Sequence, residues 1–279
     1  MSRQGHVSTV KGRIRFTCCK ILIIYAVTLS WVAAANGPAC TPIVLPVRIA
    51  VQYVIDGDTV VLANGAKLRL IGIDTPELGH NVKPDQPWAR AAKDYLNALL
   101  SEHQSELSIV YDNEHWDKYH RILGHLFLRD GTNIQALLLS RGLALPLTVP
   151  PNLAFLDCYR LNAEQAIAAR SGIWSQTQYQ PRPVTAFTGN ERGYHVVRGE
   201  VTRIGNSSSS VWLNLGSILA IRVVRSDLRY FANLDIAKLA GQVIEVRGMV
   251  YQRNRQLRLR IRHATDIRVL KVTQGTRQK

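Results

Sequence analysis

The sequence predicts an α+β chain of two small β-barrels with interposed helices, the second barrel smaller than the first. Three observations lead there. Apolar runs of strand length recur in two blocks, residues 47–175 and 191–279, and helical periodicity interrupts each block. The dipeptides Asp56-Gly57 and Asn64-Gly65, strong signals for tight hairpins, separate the first three runs. A chain of 279 residues also has room for two cores, since domains cluster at about 100 to 150 residues each.

Residues 47–55, 59–63 and 67–73 read as a three-stranded meander. With a two-residue turn at Asn64-Gly65, Ala63 faces Ala66, Val60 faces Arg69 and Asp58 faces Ile71. On that count Asp58, Arg69, Ile71 and Ile73 share one face, with Arg69 diagonal to Asp58 at about 7 to 8 Å. Pro87 opens a helix through residue 100, with Trp88, Ala91, Ala92, Tyr95, Leu96, Leu99 and Leu100 at helical spacing. Residues 105–111 and 122–128 are two more strands. Residues 133–141 form a short helix stopped by Gly142, and residues 152–170 a longer one. Five strands in this order suit a Greek-key barrel of the oligonucleotide/oligosaccharide-binding (OB) kind. Residues 176–190, with Pro181 and Pro183, make a linker. Beyond it, strands at 196–204, 210–215 and 218–225, a helix at 227–240, and strands at 242–252, 256–262 and 266–271 suit a second OB-like barrel. Tyr194, Trp212, Tyr230 and Tyr251 are candidates to stack on bases, with Trp212 and Tyr230 assigned instead to its core.

Composition, at 46% hydrophobic and 20% charged, excludes wholesale disorder and fibrous classes. The net charge of +15 is unevenly placed. Residues 1–35 carry five basic side chains and no acid, and residues 191–279 carry 17 basic against six acidic, while the middle is nearly balanced. Basic ends attract polyanions, which makes DNA or RNA the expected partner. The uncharged apolar run at residues 21–35, ending Ala33-Ala34-Ala35, predicts a signal peptide cleaved near Ala35. The product is then secreted or periplasmic, has an N-terminal extension at residues 36–46, and keeps no stable membrane association. A monomer is expected. Loss of the leader removes Cys18 and Cys19. Cys40 and Cys158 remain, either bridged in an oxidising compartment or as two thiols.

The chemistry concentrates after the first hairpin. Asp74 lies at the same end of the meander as Asp58, and Thr75-Pro76 suits the turn that would bring the two carboxylates together. Two carboxylates, a backbone carbonyl and waters form a hard-oxygen site suited to Ca²⁺. Glu77 follows with a carboxylate able to take a proton from water. Arg69 and Arg121 are the candidates to hold a phosphate as negative charge builds. Singly, each of these residues is an ordinary turn or surface residue; their convergence favours a site for phosphodiester hydrolysis.

Here the chain closely resembles the staphylococcal nuclease, or thermonuclease, family. The resemblance rests on Val54-Ile55-Asp56-Gly57-Asp58-Thr59, Leu68-Arg69-Leu70, Asp74-Thr75-Pro76-Glu77, Asp117-Lys118-Tyr119 with Arg121, and Ile173-Trp174-Ser175. It spans residues 48–175. It implies an OB barrel that hydrolyses DNA and RNA with Ca²⁺ and leaves 3′-phosphate ends. Asp58 and Asp74 would supply metal carboxylates, Thr75 a backbone oxygen, Glu77 the general base, and Arg69 and Arg121 the phosphate contacts. Lys118 and Tyr119 match residues that contact the substrate's terminal phosphate, and Asp56 an acid near the metal. Two departures stand out. His120 replaces a glycine before the second arginine, which would misaim Arg121 if that position needs a permissive backbone. Residues 143–149 lack the tyrosines the family often sets beside the bound base.

In the second barrel, residues 255–262 alternate arginine with apolar residues, which gives one core face and one basic face. Arg258, Arg260 and Arg262 are the substrate-binding candidates there. His195 and His263 stand alone, so a binding or packing module is expected and not a second enzyme. The alternative for the whole chain is a non-catalytic nucleic-acid-binding protein that keeps the nuclease fold. Degenerate barrels of this kind lose the acids or arginines, and this one has kept them.

Overall fold

The computed structural model describes residues 1–2, 40–42, 46–103 and 106–270. The apolar leader and the cleavage point near Ala35 lie outside these residues. β1 (Val47–Asp56), β2 (Thr59–Leu62) and β3 (Lys67–Leu70) form the meander. Its register corrects the expectation: Thr59 faces Arg69 and Val60 faces Leu68. The cause is a longer loop. The Leu62 amide donates to the Ala66 carbonyl (2.9 Å) and the Gly65 amide to the Leu62 carbonyl (2.8 Å), making Ala63, Asn64 and Gly65 a three-residue loop. Of these only Gly65 is left-handed (φ +82°), whereas a two-residue type I′ turn needs both central residues there. The third run also ends early. Gly72 takes φ +84° against the Tyr159 ring, where a Cβ would fall 2.5 Å from the ring, and Ile73–Asp74 becomes a separate strand, β4.

α1 (Ala89–Glu102) starts two residues later than expected, after Trp88, and buries Ala89, Ala92, Leu96, Leu99 and Leu100. β5 (Glu106–Val110) and β6 (Ile122–Phe127) complete a closed barrel in the order β1-β2-β3-β6-β5, with β3 and β6 parallel. The Asn133 side chain caps α2 (Ile134–Ser140) by accepting from the Ala136 amide. β7 (Leu145–Pro146) pairs with β4. α3 (Leu156–Ala169) starts four residues later than expected. The preceding segment is held elsewhere: the Glu114 amide donates to Asn152 Oδ1 (2.7 Å) and the Ala154 amide to Asp112 Oδ2 (2.9 Å). A disulfide joins Cys40 to Cys158 of α3, with the two Cα atoms 5.7 Å apart.

The linker is not loose chain. It contains two 3₁₀ turns, Thr177–Tyr179 and Val184–Ala186, and β8 (Arg182–Pro183), which runs parallel to β9 (Gly193–Asn206). β10 (Ser210–Leu215), β11 (Leu219–Val224), β12 (Val243–Arg253) and β13 (Gln256–Ile261) follow, and β14 (Ile267–Val269) adds to β12. Pairing of β12 with β9 closes a second barrel in the order β9-β10-β11-β13-β12, with β11 and β13 parallel. Both barrels thus share one strand order and one parallel closure, although no repeat shows in the sequence. The helix expected at 227–240 is two 3₁₀ turns, Arg225–Phe231 and Ile236–Leu239. Asp235 restarts the chain between them by accepting from the Ala237 amide (3.1 Å). Trp212 is also corrected: it lies half-buried outside the core, beside Arg222 and Arg258, while Tyr230 packs partly buried against the core.

The two barrels belong to one compact unit. Trp174, Tyr179 of the linker and Tyr194 of β9 form an aromatic cluster with centroids 5.9 to 6.4 Å apart. Arg262 Nη2 donates to the Pro150 carbonyl (3.0 Å), and Asp266 faces Thr148. Burial raises the Asp266 carboxyl to about 6, against hydrogen bonds from the Arg262 and His263 amides and Thr148. The unfolded chain therefore releases this proton first as pH rises. The contribution to stability is full below the ordinary aspartate value and is lost as pH climbs through about 6. Asp266→Asn should remove this loss and stabilise the protein at pH 8 by an amount on the order of 1–3 kcal/mol. Urea unfolding at pH 4 and pH 8 checks it: the variant should gain on wild type only at the higher pH.

Candidate active site

The site forms where β1 turns into β2. A bulge shifts the β1–β2 register between Val54 and Asp56, and Gly57-Asp58 make the turn. Gly57 is needed there for space and not for a positive φ: a Cβ would meet Ala92 Cβ at 2.7 Å and Thr75 Cγ2 at 2.8 Å. Asp56 Oδ1 accepts from the Asp58 amide (3.1 Å) and so shapes the turn. Asp58 is 3% exposed. Its Oδ2 accepts from the Thr75 amide (2.8 Å) and hydroxyl (3.0 Å), which ties β2 to the chain after β4.

Arg69 is where the expected grouping is met by a different route. The Leu70 amide donates to the Asp58 carbonyl (2.8 Å), so Asp58 sits opposite Leu70 and not on the face of Arg69. At the strand end the long side chain still reaches across. Arg69 Nη1 pairs with Asp58 Oδ1, and Nη2 donates to Asp74 Oδ1 (2.8 Å) and the Ile73 carbonyl (3.1 Å). One guanidinium therefore bridges the two carboxylates. Burial lowers its pKa, Asp74 and Asp56 oppose that, and the charge of Arg121 adds to it, which places Arg121 within electrostatic reach.

Arg121 is aimed by Asp117. Asp117 Oδ2 accepts from Arg121 Nε (2.7 Å), and Oδ1 accepts from the Arg121 (2.9 Å) and Tyr119 (2.8 Å) amides. Burial alone would raise the Asp117 carboxyl; these hydrogen bonds outweigh it and hold the group below the usual range. His120 has φ +60°, so this position does require the left-handed backbone, and histidine adopts it there with the Asp117–Arg121 pair intact. Tyr119 is 67% exposed, with Lys118 Nζ 4.8 Å and the Arg121 guanidinium 5.7 Å from its ring centre.

Glu77 is exposed on the lip of a cleft that also takes in Asp74, Thr75, Tyr179, Arg192, Tyr194 and Met249. Its amide donates to Gln86 Oε1 (3.0 Å) and its carbonyl accepts from the Gln86 amide (2.9 Å). Gln86 thus fixes the backbone that carries Glu77. Sequence reasoning missed Gln86, whose loop position carries no signal, and gave Asp117 no role although it lies in a quoted block. Among the described residues no group of three or more His, Cys, Asp or Glu is gathered as a metal cage. The oxygens that do converge, on the Arg69 guanidinium, are Asp58 Oδ1, Asp74 Oδ1 and the Ile73 carbonyl.

The arginines of β13 and its C-terminal end are engaged elsewhere in the second barrel. Arg260 Nη2 (2.9 Å) and Arg262 Nε (3.3 Å) both donate to Asp227 Oδ2, while Arg258 stacks on Trp212.

Comparison with known proteins agrees with this geometry. Residues 67–176 match the family model described as Staphylococcal nuclease homologue. The chain is 38% identical over 120 residues to a thermonuclease of Staphylococcus intermedius, covering 42% of this chain and 67% of that protein. It is 32% identical over 126 residues to a thermonuclease of Staphylococcus hyicus, covering 44% and 72%. It is also 32% identical over 138 residues to endonuclease YncB of Bacillus subtilis, covering 48% and 64%. With the turn chemistry, the bridged carboxylates and these matches together, the chain belongs to the staphylococcal nuclease family.

Proposed function

We propose that the protein is an exported, calcium-dependent nuclease that hydrolyses phosphodiester bonds of DNA or RNA and leaves 3′-phosphate ends. The bridge of Asp58 and Asp74 by one guanidinium is the observation that carries this reading, because it sets two carboxylates and a phosphate-binding fork within a few ångströms. The donor set fits a hard divalent cation: Asp58, Asp74 and the Thr75 carbonyl would hold it, all through oxygen. When bound, the ion supplies charge that polarises a phosphate and orients water.

Around it the side chains divide the work. Glu77 takes a proton from the attacking water, whose oxygen bonds to phosphorus as the bond to the 5′ oxygen breaks; that oxygen then takes a proton from solvent. Arg69 and Arg121 bind the phosphate oxygens as charge develops, with Asp117 holding Arg121 in line. Lys118 and Tyr119 lie beside Arg121 and are the residues for a terminal phosphate. Export rests on the leader, and a monomer acting alone is sufficient for this chemistry. Among the described residues no helix is long and apolar enough to cross a membrane.

Incubation of the protein with single-stranded DNA should give product in Ca²⁺ and none in chelator. Glu77→Gln should cut at least about 100-fold more slowly. Equal product from all three would overturn the reading, and binding without cutting would leave a nucleic-acid-binding protein in its place.

A further inference from the structure

Five arginines of the second barrel pair with two buried acids. Glu245, 2% exposed, pairs with Arg198, Arg247 and Arg268, and Asp227 pairs with Arg260 and Arg262. Among the described residues, no carboxylate pairs with Arg203, Arg222 or Arg258. Those three share the outer face of β9, β10, β11 and β13 with Trp212. Register places them: Asn214 lies between Arg203 and Ala220, Ala220 lies beside Arg258, and Trp212 lies between Gly205 and Arg222.

Two guanidinium groups lie against Trp212, Arg258 at 5.0 Å and Arg222 at 5.6 Å from its ring centre. Arg222 is fixed by Ser210 Oγ (2.8 Å). Arg258 Nε is covered and has no hydrogen-bond partner, so stacking and not an ion pair positions that side chain. An open groove runs over this face, lined by Arg203, Asn206, Trp212, Asn214, Gln256 and Arg258. None of the six acids of residues 191–279 lines it. Its floor is low because Gly205 and Ala220 project little. Ordinary surface charge would mix signs and pair arginine with acid; here cations are concentrated around a flat ring and acids are excluded.

We infer that this groove is a second binding site, for single-stranded nucleic acid, in which Trp212 stacks on a base while Arg203, Arg222 and Arg258 take phosphates. Base stacking on an aromatic ring tolerates any sequence, and unpaired guanidinium groups keep their forks for phosphate. The arginine row of this face leads toward a cleft between the barrels. Arg222 is the direct strand neighbour of Arg260, and Arg260 lines that cleft together with Arg247 and the active-site Asp74. β10 to β13 spans two strand spacings, about 10 Å. A strand cut at Asp74 and Glu77 would reach Trp212 by way of Arg260 and Arg222. This deepens the proposed nuclease reading and rests on it for the substrate, but not for the binding.

The test uses the full chain in chelator, so that nothing is cut, with anisotropy of a labelled thirty-nucleotide strand and of the matching duplex. Trp212→Ala should weaken strand binding about tenfold, with Trp212→Phe recovering most of it, and should leave the salt slope unchanged. The combined Arg203→Gln, Arg222→Gln, Arg258→Gln variant should make the slope shallower by about two. With Ca²⁺ restored, the ratio of thirty-nucleotide to trinucleotide cleavage should fall in Trp212→Ala. Wild-type affinity in Trp212→Ala, an unchanged slope in the triple variant, or equal loss on duplex would each overturn the site. Polyglutamate competing as well as the strand would make the groove a docking surface for acidic protein instead. A chain that never cuts but loses strand binding in Trp212→Ala would retain this site and refute the nuclease.

Discussion

Arg69→Ala is expected to lower the rate of strand cleavage by about 10³-fold or more, because it removes the fork that meets developing phosphate charge. It should also weaken the fold. Asp58 keeps its bonds to Thr75 but loses the cation against Oδ1. Breaking a buried pair costs about 3–5 kcal/mol, and the 34% exposure of the Asp74 side chain places the expected loss at the lower end. The two effects separate with calcium. With Arg69 gone, Asp58 and Asp74 face each other uncompensated, so Ca²⁺ should raise the melting temperature of the variant more than that of the wild type. Arg69→Lys should recover stability more than activity, since an ammonium restores charge without the fork. Melting curves with Ca²⁺ and chelator, read beside single-turnover cleavage, check all of this. Activity within tenfold of wild type would remove Arg69 from the catalytic assignment.

Cys158→Ser should lower stability by about 2–4 kcal/mol. The bridge to Cys40 closes a loop with a sequence separation of 118, long enough for a large loss of freedom in the unfolded chain. The partner is well chosen, because Cys40 is 4% exposed and belongs to the first barrel's core, while α3 carries Cys158 beside the buried Tyr159. At about 2–4 °C per kcal/mol for a domain of this size, the melting temperature should fall by roughly 5–15 °C. Dithiothreitol should reproduce the shift in the wild type and add nothing in the variant. An unchanged melting temperature in both would mean the bridge adds nothing to stability.

Local pattern made the strands legible and long-range closure hid the details. Alternation gave nearly every strand of both barrels, since half-buried strands must repeat at two residues. The Asn64-Gly65 register was misjudged because the same dipeptide serves two- and three-residue loops, and the choice lies in hydrogen bonds that sequence does not print. Asp58 and Arg69 were still placed together, since a guanidinium spans a one-residue error at a strand end. Residues 227–240 have helical spacing, but Asp235 caps a new turn in their middle and interrupts the helix. In the site, Asp58, Asp74 and Arg69 were readable from turn chemistry and the family blocks. Gln86 was not, for its role exists only once a nine-residue excursion folds back on Glu77.

The proline-rich stretch at residues 176–190 marks a border in the sequence but acts as a seam in the protein. Tyr179 is 8% exposed between Trp174 and Tyr194, and Arg182 and Pro183 pair with the first strand of the next barrel. A nick there would leave both pieces clasped, so a protease that cleaves this stretch should not release two fragments on a sizing column. A gene truncated at the same point would instead strip the cover from Trp174, one of the largest fully buried side chains of the molecule. The nuclease barrel cut out by its sequence limits is thus a different material from the same barrel in place, stickier and easier to melt. Modular exchange of its second barrel would have to carry Tyr194 along.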